Sequence, residues 1–473
     1  MIKPRTLFEK LWSSHVVRDL GDGRAIIQID RHVLQEGTSP WAFEGLRKMN
    51  LKVRDPQMTF GVIDHSVASM PGRTEDSFQP SKYRILAMRR NCDEAGIEYY
   101  DIHDPRQGIT HVVAPELGIA LPGTTLVCAD SHTATNGALG IWAWGIGTTE
   151  VRHVLANQVL IQRKPKTMRI AIDGRLAEGV YAKDVILHLI SKLGISGGAG
   201  YAVEYAGSTI RALAVEGRMT VCNMSIEFGA RAGMIGVDDK AIEYIKGKPK
   251  APDGLQFERA AAHWRDIRTD DGASFDSEFS IDCDSLSPQI SWGTTPQDII
   301  GIDDRVPVPA VTKKSVAEQT AAGRALDYMG LSAGQSLEGV PIDVAFIGSC
   351  TNARLSDLEI AARIVKGRKV APHVRALVVP GSTSVKRSAE ALGLDRVFKD
   401  AGFEWRESSC SMCVATNGDV VDAGQRCIAT TNRNFEGRQG PESRTHMASP
   451  AMVAAAAVTG CIIDVRRLTA CRA

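Results

Sequence analysis

The 473-residue chain carries no excess charge of either sign: 56 Lys and Arg stand against 55 Asp and Glu, a formal net charge of +1. The basic residues are spread along the sequence, which argues against the concentrated basic face of a nucleic-acid-binding protein. Long apolar runs are missing too. The opening Met1-Ile2-Lys3-Pro4-Arg5-Thr6-Leu7-Phe8-Glu9-Lys10-Leu11-Trp12 is charged and has no apolar signal core. The most apolar late stretch, residues 451–458, is Ala-rich and far too short to cross a bilayer. A cytoplasmic location with no membrane contact is the expectation. Without a secretory signal, the ten cysteines read as reduced thiols, metal ligands or core residues, and not as a disulfide framework.

What is present is ordinary globular material, 44% hydrophobic and 23% charged, in a chain too long for one core. The commonest pattern is a short apolar run ending in a polar loop and then a helical stretch. Thr125-Leu126-Val127-Cys128-Ala129 runs into Asp130-Ser131-His132, and Val344-Ala345-Phe346-Ile347 into Gly348-Ser349-Cys350. Ala376-Leu377-Val378-Val379 and Cys427-Ile428-Ala429 behave alike. Apolar strands alternating with helices indicate α/β layers with buried, partly parallel sheets, whose chemistry collects at strand C-termini. The loops after Ala129 and Ile347 look alike, which hints at two similarly folded domains; chance likeness explains it as well. We expect an α/β domain over residues 1–165, a middle α/β domain over 166–285 containing the strand Met168-Arg169-Ile170-Ala171-Ile172, and a linker plus a further α/β domain over 286–473. Residues 247–340, rich in Pro, Gly and acidic residues, read as a surface excursion and linker. Leu7, Phe8, Leu11 and Trp12 fall on one helix face suited to docking on the protein body.

Three cysteines stand out. Cys410 and Cys413, in Ser409-Cys410-Ser411-Met412-Cys413, form a CxxC open to zinc, redox or coincidental readings, but no fourth Cys or His lies nearby at zinc spacing. Cys350, in a strand-end loop, adds a third thiolate and favours an iron–sulfur cluster with one open corner for substrate. The other seven (Cys92, Cys128, Cys222, Cys283, Cys427, Cys461 and Cys471) have no partner spacing and read as core or surface thiols. Asp64-His65 and Asp130-Ser131-His132 each set a carboxylate beside an imidazole just past an apolar run, as general acid–base work requires; structural pairs look the same. Asn432-Arg433-Asn434-Phe435-Glu436-Gly437-Arg438 carries two guanidinium forks that match carboxylates, or else a solvated basic loop.

Taken together, these segments resemble the aconitase superfamily and, within it, the large subunits of isopropylmalate isomerases (3-isopropylmalate dehydratases). The most specific runs are Ala129-Asp130-Ser131-His132-Thr133, Gly348-Ser349-Cys350-Thr351-Asn352, Cys410-Ser411-Met412-Cys413 and Asn432 to Arg438; Ile29-Asp30-Arg31-His32 is shorter and decides less. The resemblance implies three α/β domains of the aconitase type around a central 4Fe-4S cluster held by Cys350, Cys410 and Cys413. It also implies a hydro-lyase that moves a hydroxyl between adjacent carbons of a small diacid. Matching acid–base and substrate-site positions are Asp64, His65, His111, Asp130, His132 and Glu227, with Arg433 and Arg438 as carboxylate binders and Asn223 and Asn432 as neighbours of cluster or substrate. The swivelling fourth domain, which carries the proton-removing serine in single-chain relatives, is expected on a separate small subunit.

Two positions depart from the pattern: Ser409 stands where Gly is expected and Ala353 where Ser is usual. Methylmalate-type and homoaconitate-type dehydratases share the motifs, so the diacid stays open. Competing readings are a zinc or thiol protein using the CxxC alone, and an RNA-binding regulator, which the near-zero net charge disfavours.

Overall fold

Short, largely buried strands of two to five residues that run into polar loops build two parallel sheets. The computed structural model describes residues 3–312 and 315–469, so Met1, Ile2 and Cys471 lie outside the described residues. The described residues fall into two units, one within residues 1–67, 74–174 and 196–281 and the other within residues 68–73, 175–195 and 282–473.

In the first unit, β1 (Arg31–Gln35), β2 (Thr59–Val62), β3 (Glu98–Tyr100), β4 (Thr125–Cys128) and β5 (Trp142–Gly145) form a sheet of order β3-β2-β1-β4-β5. Every pairing is parallel. All residues of β2 and β4 are buried, as a sheet covered on both faces demands. The helix Leu7–His15 opens on a capping box formed by Thr6 and Glu9 and buries Leu7, Phe8, Leu11 and Trp12. That is the face its spacing predicts, and Phe8 packs edge-on against Trp142 of β5 with centroids 5.3 Å apart. A second sheet of the unit holds β6 (Lys166–Asp173), β7 (Tyr201–Ala206), β8 (Ala232–Ile235) and β9 (Ser277–Asp282) in the order β8-β7-β6-β9. Met168–Ile172 lies in β6, as expected.

In the second unit, β10 (Val344–Ile347), β11 (Arg375–Val378), β12 (Glu404–Trp405), β13 (Arg426–Ala429) and β14 (Arg444–Met447) run in the order β12-β11-β10-β13-β14. All pairings are again parallel. The order repeats that of the first unit: third, second, first, fourth, fifth. The hint of two similarly folded regions therefore holds, with one correction. The loop after Ala129 follows a fourth strand and the loop after Ile347 a first strand, so the two loops that look alike in sequence are not equivalent. One face of the second sheet packs Val344, Phe346, Leu377, Val379, Cys427 and Ala429 around Met412.

The linker reading of residues 247–340 is corrected. The segment contains the helices Gly254–Trp264 and Val316–Met329 and an antiparallel pair, Gln289–Ser291 with Ile299–Gly301. Ile290 and Trp292 are buried, and the Gln289 N–H donates to Asp184 at 2.8 Å. The prolines and glycines here punctuate short elements; they do not extend a linker. Among the described residues no helix is long and apolar enough to cross a membrane, and Pro450–Thr459, the Ala-rich helix, is buried over nearly its full length.

Candidate active site

In the first unit the polar loops at the C-terminal ends of β2 and β4 and the start of the helix Thr110–Glu116 converge. Asp64 is fully buried. Its Oδ2 accepts from the Thr110 N–H and hydroxyl at 3.0 and 2.8 Å, while Oδ1 meets Nδ1 of His65. The other nitrogen of His65, Nε2, lies 3.2 Å from Asp130 Oδ2. Both ring nitrogens of His65 thus face carboxylate oxygens, an arrangement in which only the doubly protonated ring donates at both ends. Asp130 Oδ1 is 3.0 Å from His111 Nε2 and accepts from the His132 N–H at 2.7 Å. His132 Nε2 in turn sits 2.8 Å from Glu227 Oε1. Burial would push the Asp130 carboxyl up, but the His111 charge and hydrogen bonds from His111, His132 and His65 hold it well below the usual carboxylate range.

All six residues expected to do acid–base work therefore join one hydrogen-bonded chain: Asp64, His65, Asp130, His111, His132 and Glu227. Asn223 stands one step away. Its Nδ2 donates to Thr135 Oγ1 at 2.8 Å, and Thr135 donates to the His132 carbonyl at 2.6 Å. The sequence reading missed Glu36, which follows β1. It is fully buried, accepts from the Asp64 N–H at 3.0 Å and from the Ser66 N–H, and so holds the backbone of the Asp64-His65 loop. Burial, with the Asp64 carboxylate beside it, pushes its carboxyl above the usual range. The only sequence signal for Glu36 is its place just past a strand.

In the second unit the thiols of Cys350, Cys410 and Cys413 are each 3% exposed. Cys350 follows β10, and Cys410 opens the single helical turn Ser411–Cys413, too short for the helix that a thioredoxin-like CxxC requires. Met412, between the two cysteines, anchors that turn in the core. Ser349 Oγ lies 3.3 Å from Cys413 Sγ and 4.0 Å from Cys350 Sγ. The Asn432 amide spans the same pair, donating from Nδ2 to Cys350 Sγ at 3.3 Å with Oδ1 3.6 Å from Cys413 Sγ. Thr431 Oγ1 adds a donor to Cys413 at 3.5 Å.

Non-glycine residues in left-handed conformation mark these loops: Ser349 (φ 77°), Ser411 (φ 47°) and Ala415 (φ 56°). Strain of this kind persists where surroundings enforce it and gathers at functional sites. Ser409, at the position where Gly was expected, accepts from the Ser411 N–H at 3.2 Å and so helps to hold that strained residue. Ala353 is buried, and its carbonyl accepts from the Gly381 N–H at 2.7 Å.

This donor set fits a metal cluster. Three buried thiols sit among hydroxyl and amide donors, the surroundings that stabilise thiolate sulfur. By contrast, burial pushes the thiol of Cys92 up to about 12 and that of Cys128 well above its ordinary value, which keeps both protonated and inert. Cys222, Cys283 and Cys427 are also buried, and Cys461 is half-buried. Arg433 and Arg438 are half-buried in the loop after β13. Arg438 Nε is a buried donor with no hydrogen-bond partner among the described residues, a state that an incoming carboxylate would relieve.

Residues 9–460 match the profile of the aconitase family (aconitate hydratase). The chain is also similar to the solved holo-form of aconitase X from Thermococcus kodakaraensis, at 12% identity over 90% of this chain and 89% of that one, with a TM-score of 0.45.

Proposed function

This chain belongs to the aconitase family, and from that premise we propose that it is the large subunit of an iron–sulfur hydro-lyase that interconverts 2-isopropylmalate and 3-isopropylmalate in leucine biosynthesis. The observation that carries the iron–sulfur reading is the set of three buried thiols, Cys350, Cys410 and Cys413, with donors from Ser349, Thr431 and Asn432 aimed at two of them. The choice of this branch rests on the four sequence runs named above. Dehydration of a methylmalate-type or homoaconitate-type diacid uses the same residues and is the runner-up.

When bound, a 4Fe-4S group with three protein ligands supplies a Lewis acid that polarises the bond to the departing hydroxyl. The chain's own residues supply protons and orientation. His65, held between two carboxylates, is placed to give a proton to the leaving hydroxide. Asp130 ties His65, His111 and His132 into one array, and Glu227 fixes the His132 ring. Arg433 and Arg438 bind the carboxylates of the diacid. The base that removes the carbon-bound proton comes from a small partner subunit, and the complex works in the cytoplasm.

Anaerobic purification followed by iron and sulfide analysis tests the core of this reading, with about four irons per chain expected at full occupancy. Zinc alone, or no metal after reconstitution, would overturn it. Assay with each diacid, with and without the small subunit, tests the rest. Full turnover by the isolated chain would remove the partner from the scheme.

A further inference from the structure

Lys183, the second residue of the helix Ala182–Leu193, has no exposed surface. A buried ammonium persists only where fixed acceptors replace its water. Here two acceptors are successive main-chain carbonyls: Nζ donates to Thr430 O at 3.1 Å and to Thr431 O at 2.7 Å. These carbonyls belong to the turn leaving β13, and the side chains of that turn reach the ligand sulfurs. Thr431 Oγ1 donates to Cys413, and Asn432 Nδ2 to Cys350. Thr430 Oγ1 accepts from the Gly348 N–H at 2.9 Å and donates to the Gly348 carbonyl at 2.8 Å, which pins the turn to the loop carrying Cys350.

We propose that Lys183 is a positioning residue for the iron–sulfur site: it fixes the turn from Thr430 to Asn432 so that Thr431 and Asn432 present their donors to Cys413 and Cys350, and its charge raises the reduction potential of the group those sulfurs hold. The inference rests on the cluster reading above. Two consecutive carbonyls converging on one cation fix both peptide planes, and with them the directions in which the next side chains leave. A carbonyl pair alone would repel; the ammonium makes the conformation stable. Hydrogen bonds to sulfur and a nearby positive charge both favour the more negative, reduced state of a cluster.

The test compares the reconstituted wild-type chain with Lys183→Met, Lys183→Gln and Thr431→Val. Iron and sulfide content, the rate of iron release to a chelator, the midpoint potential and the thermal melt are measured for each. Lys183→Met should release iron about 10–100-fold faster and shift the one-electron equilibrium toward the oxidised form by about tenfold, or 59 mV. Lys183→Gln, which can still donate to the carbonyls, should recover much of the iron retention and only that part of the potential which the sulfur hydrogen bonds supply, leaving the part due to the charge lost. Wild-type potential and release rate in Lys183 variants that melt like the wild type would overturn the inference. Should those variants not fold, Thr431→Val decides: it keeps the turn and removes one sulfur donor, so unchanged release and potential would overturn the inference as well. A wild-type chain that takes up no iron and sulfide refutes the cluster reading instead, which separates the two failures.

Discussion

The five-stranded sheets of the two units share one strand order yet hold their functional groups in different ways. In an open parallel sheet the crevice forms where the order reverses, between the first and fourth strands. In the first unit that corner carries Glu36 after β1 and Asp130 after β4; in the second it carries Cys350 after β10 and Asn432 after β13. The carboxylate and imidazole groups of the first unit orient one another through bonds of 2.8–3.2 Å, and none of Glu36, Asp64, His65, Asp130 or His132 has positive φ. In the second unit the sulfurs are weak acceptors whose contacts run from 3.3 to 4.0 Å. Such contacts impose little direction, so the backbone does the aiming through the left-handed Ser349, Ser411 and Ala415. Strong directional partners spare the chain strain; weak ones require it.

The most severe way to break the comparison is Cys410→Ser, which leaves the first unit intact and removes a proposed ligand from the second. Loss of Lewis-acid assistance worth several kcal/mol should lower turnover at least ~10³-fold, with iron content falling in parallel. Unchanged iron would sink the ligand assignment. Asp130→Asn attacks the first unit instead: kcat should fall by about 10²–10⁴ while iron content stays at the wild-type level. The same variant has a pH signature. Because the Asp130 carboxyl is depressed in the folded state, its stabilisation is fully present above the ordinary carboxylate range and is lost as pH falls through the depressed value. Acid unfolding of the variant should accordingly lose that dependence, as read by denaturant titration below pH 5.

Gly145, ending β5, sharpens the contrast at the backbone level. A Cβ there would lie 2.6 Å from the Asp130 carbonyl oxygen and 2.9 Å from Ser131 Cα. Gly145→Ala should cost about 1–3 kcal/mol and reduce kcat by displacing Asp130, measurable as a lower melting temperature together with slower turnover. The smallest effect is expected from Ala415→Gly. Relief of the left-handed conformation should stabilise the second unit by up to about 1 kcal/mol, with iron content unaltered. A destabilised Ala415→Gly chain would show that the backbone there is not strained.

How far the sequence reached follows from the same contrast. The strands were legible because β2, β4, β10 and β13 each close on three or more apolar residues and run straight into polar loops. Asp64, His65, Asp130, Cys350, Cys410 and Cys413 were legible because they sit directly after such strands or in a tight motif. His111, Asn223 and Glu227 came only through family resemblance, since a His in the first turn of a helix or a Glu in a short turn carries no local mark. Glu36 and Lys183 were invisible: each acts through main-chain groups, which leave no trace in residue type. The excursion at residues 247–340 was misread because Pro and Gly density reports chain reversals and is silent on whether the residues between them, such as Trp292, are buried.

The bond from Lys183 to Thr431 joins residues 248 positions apart. At about 5–20 residues added per second during synthesis, the helix bearing Lys183 emerges roughly 12–50 s before its acceptors exist. For that interval the ammonium stays hydrated, and the second unit, which draws residues 175–195 from the middle of the chain, stays open. The proposed iron–sulfur group can therefore be enclosed only after the turn from Thr430 to Asn432 has been made, so its delivery comes long after the helix bearing Lys183 emerges.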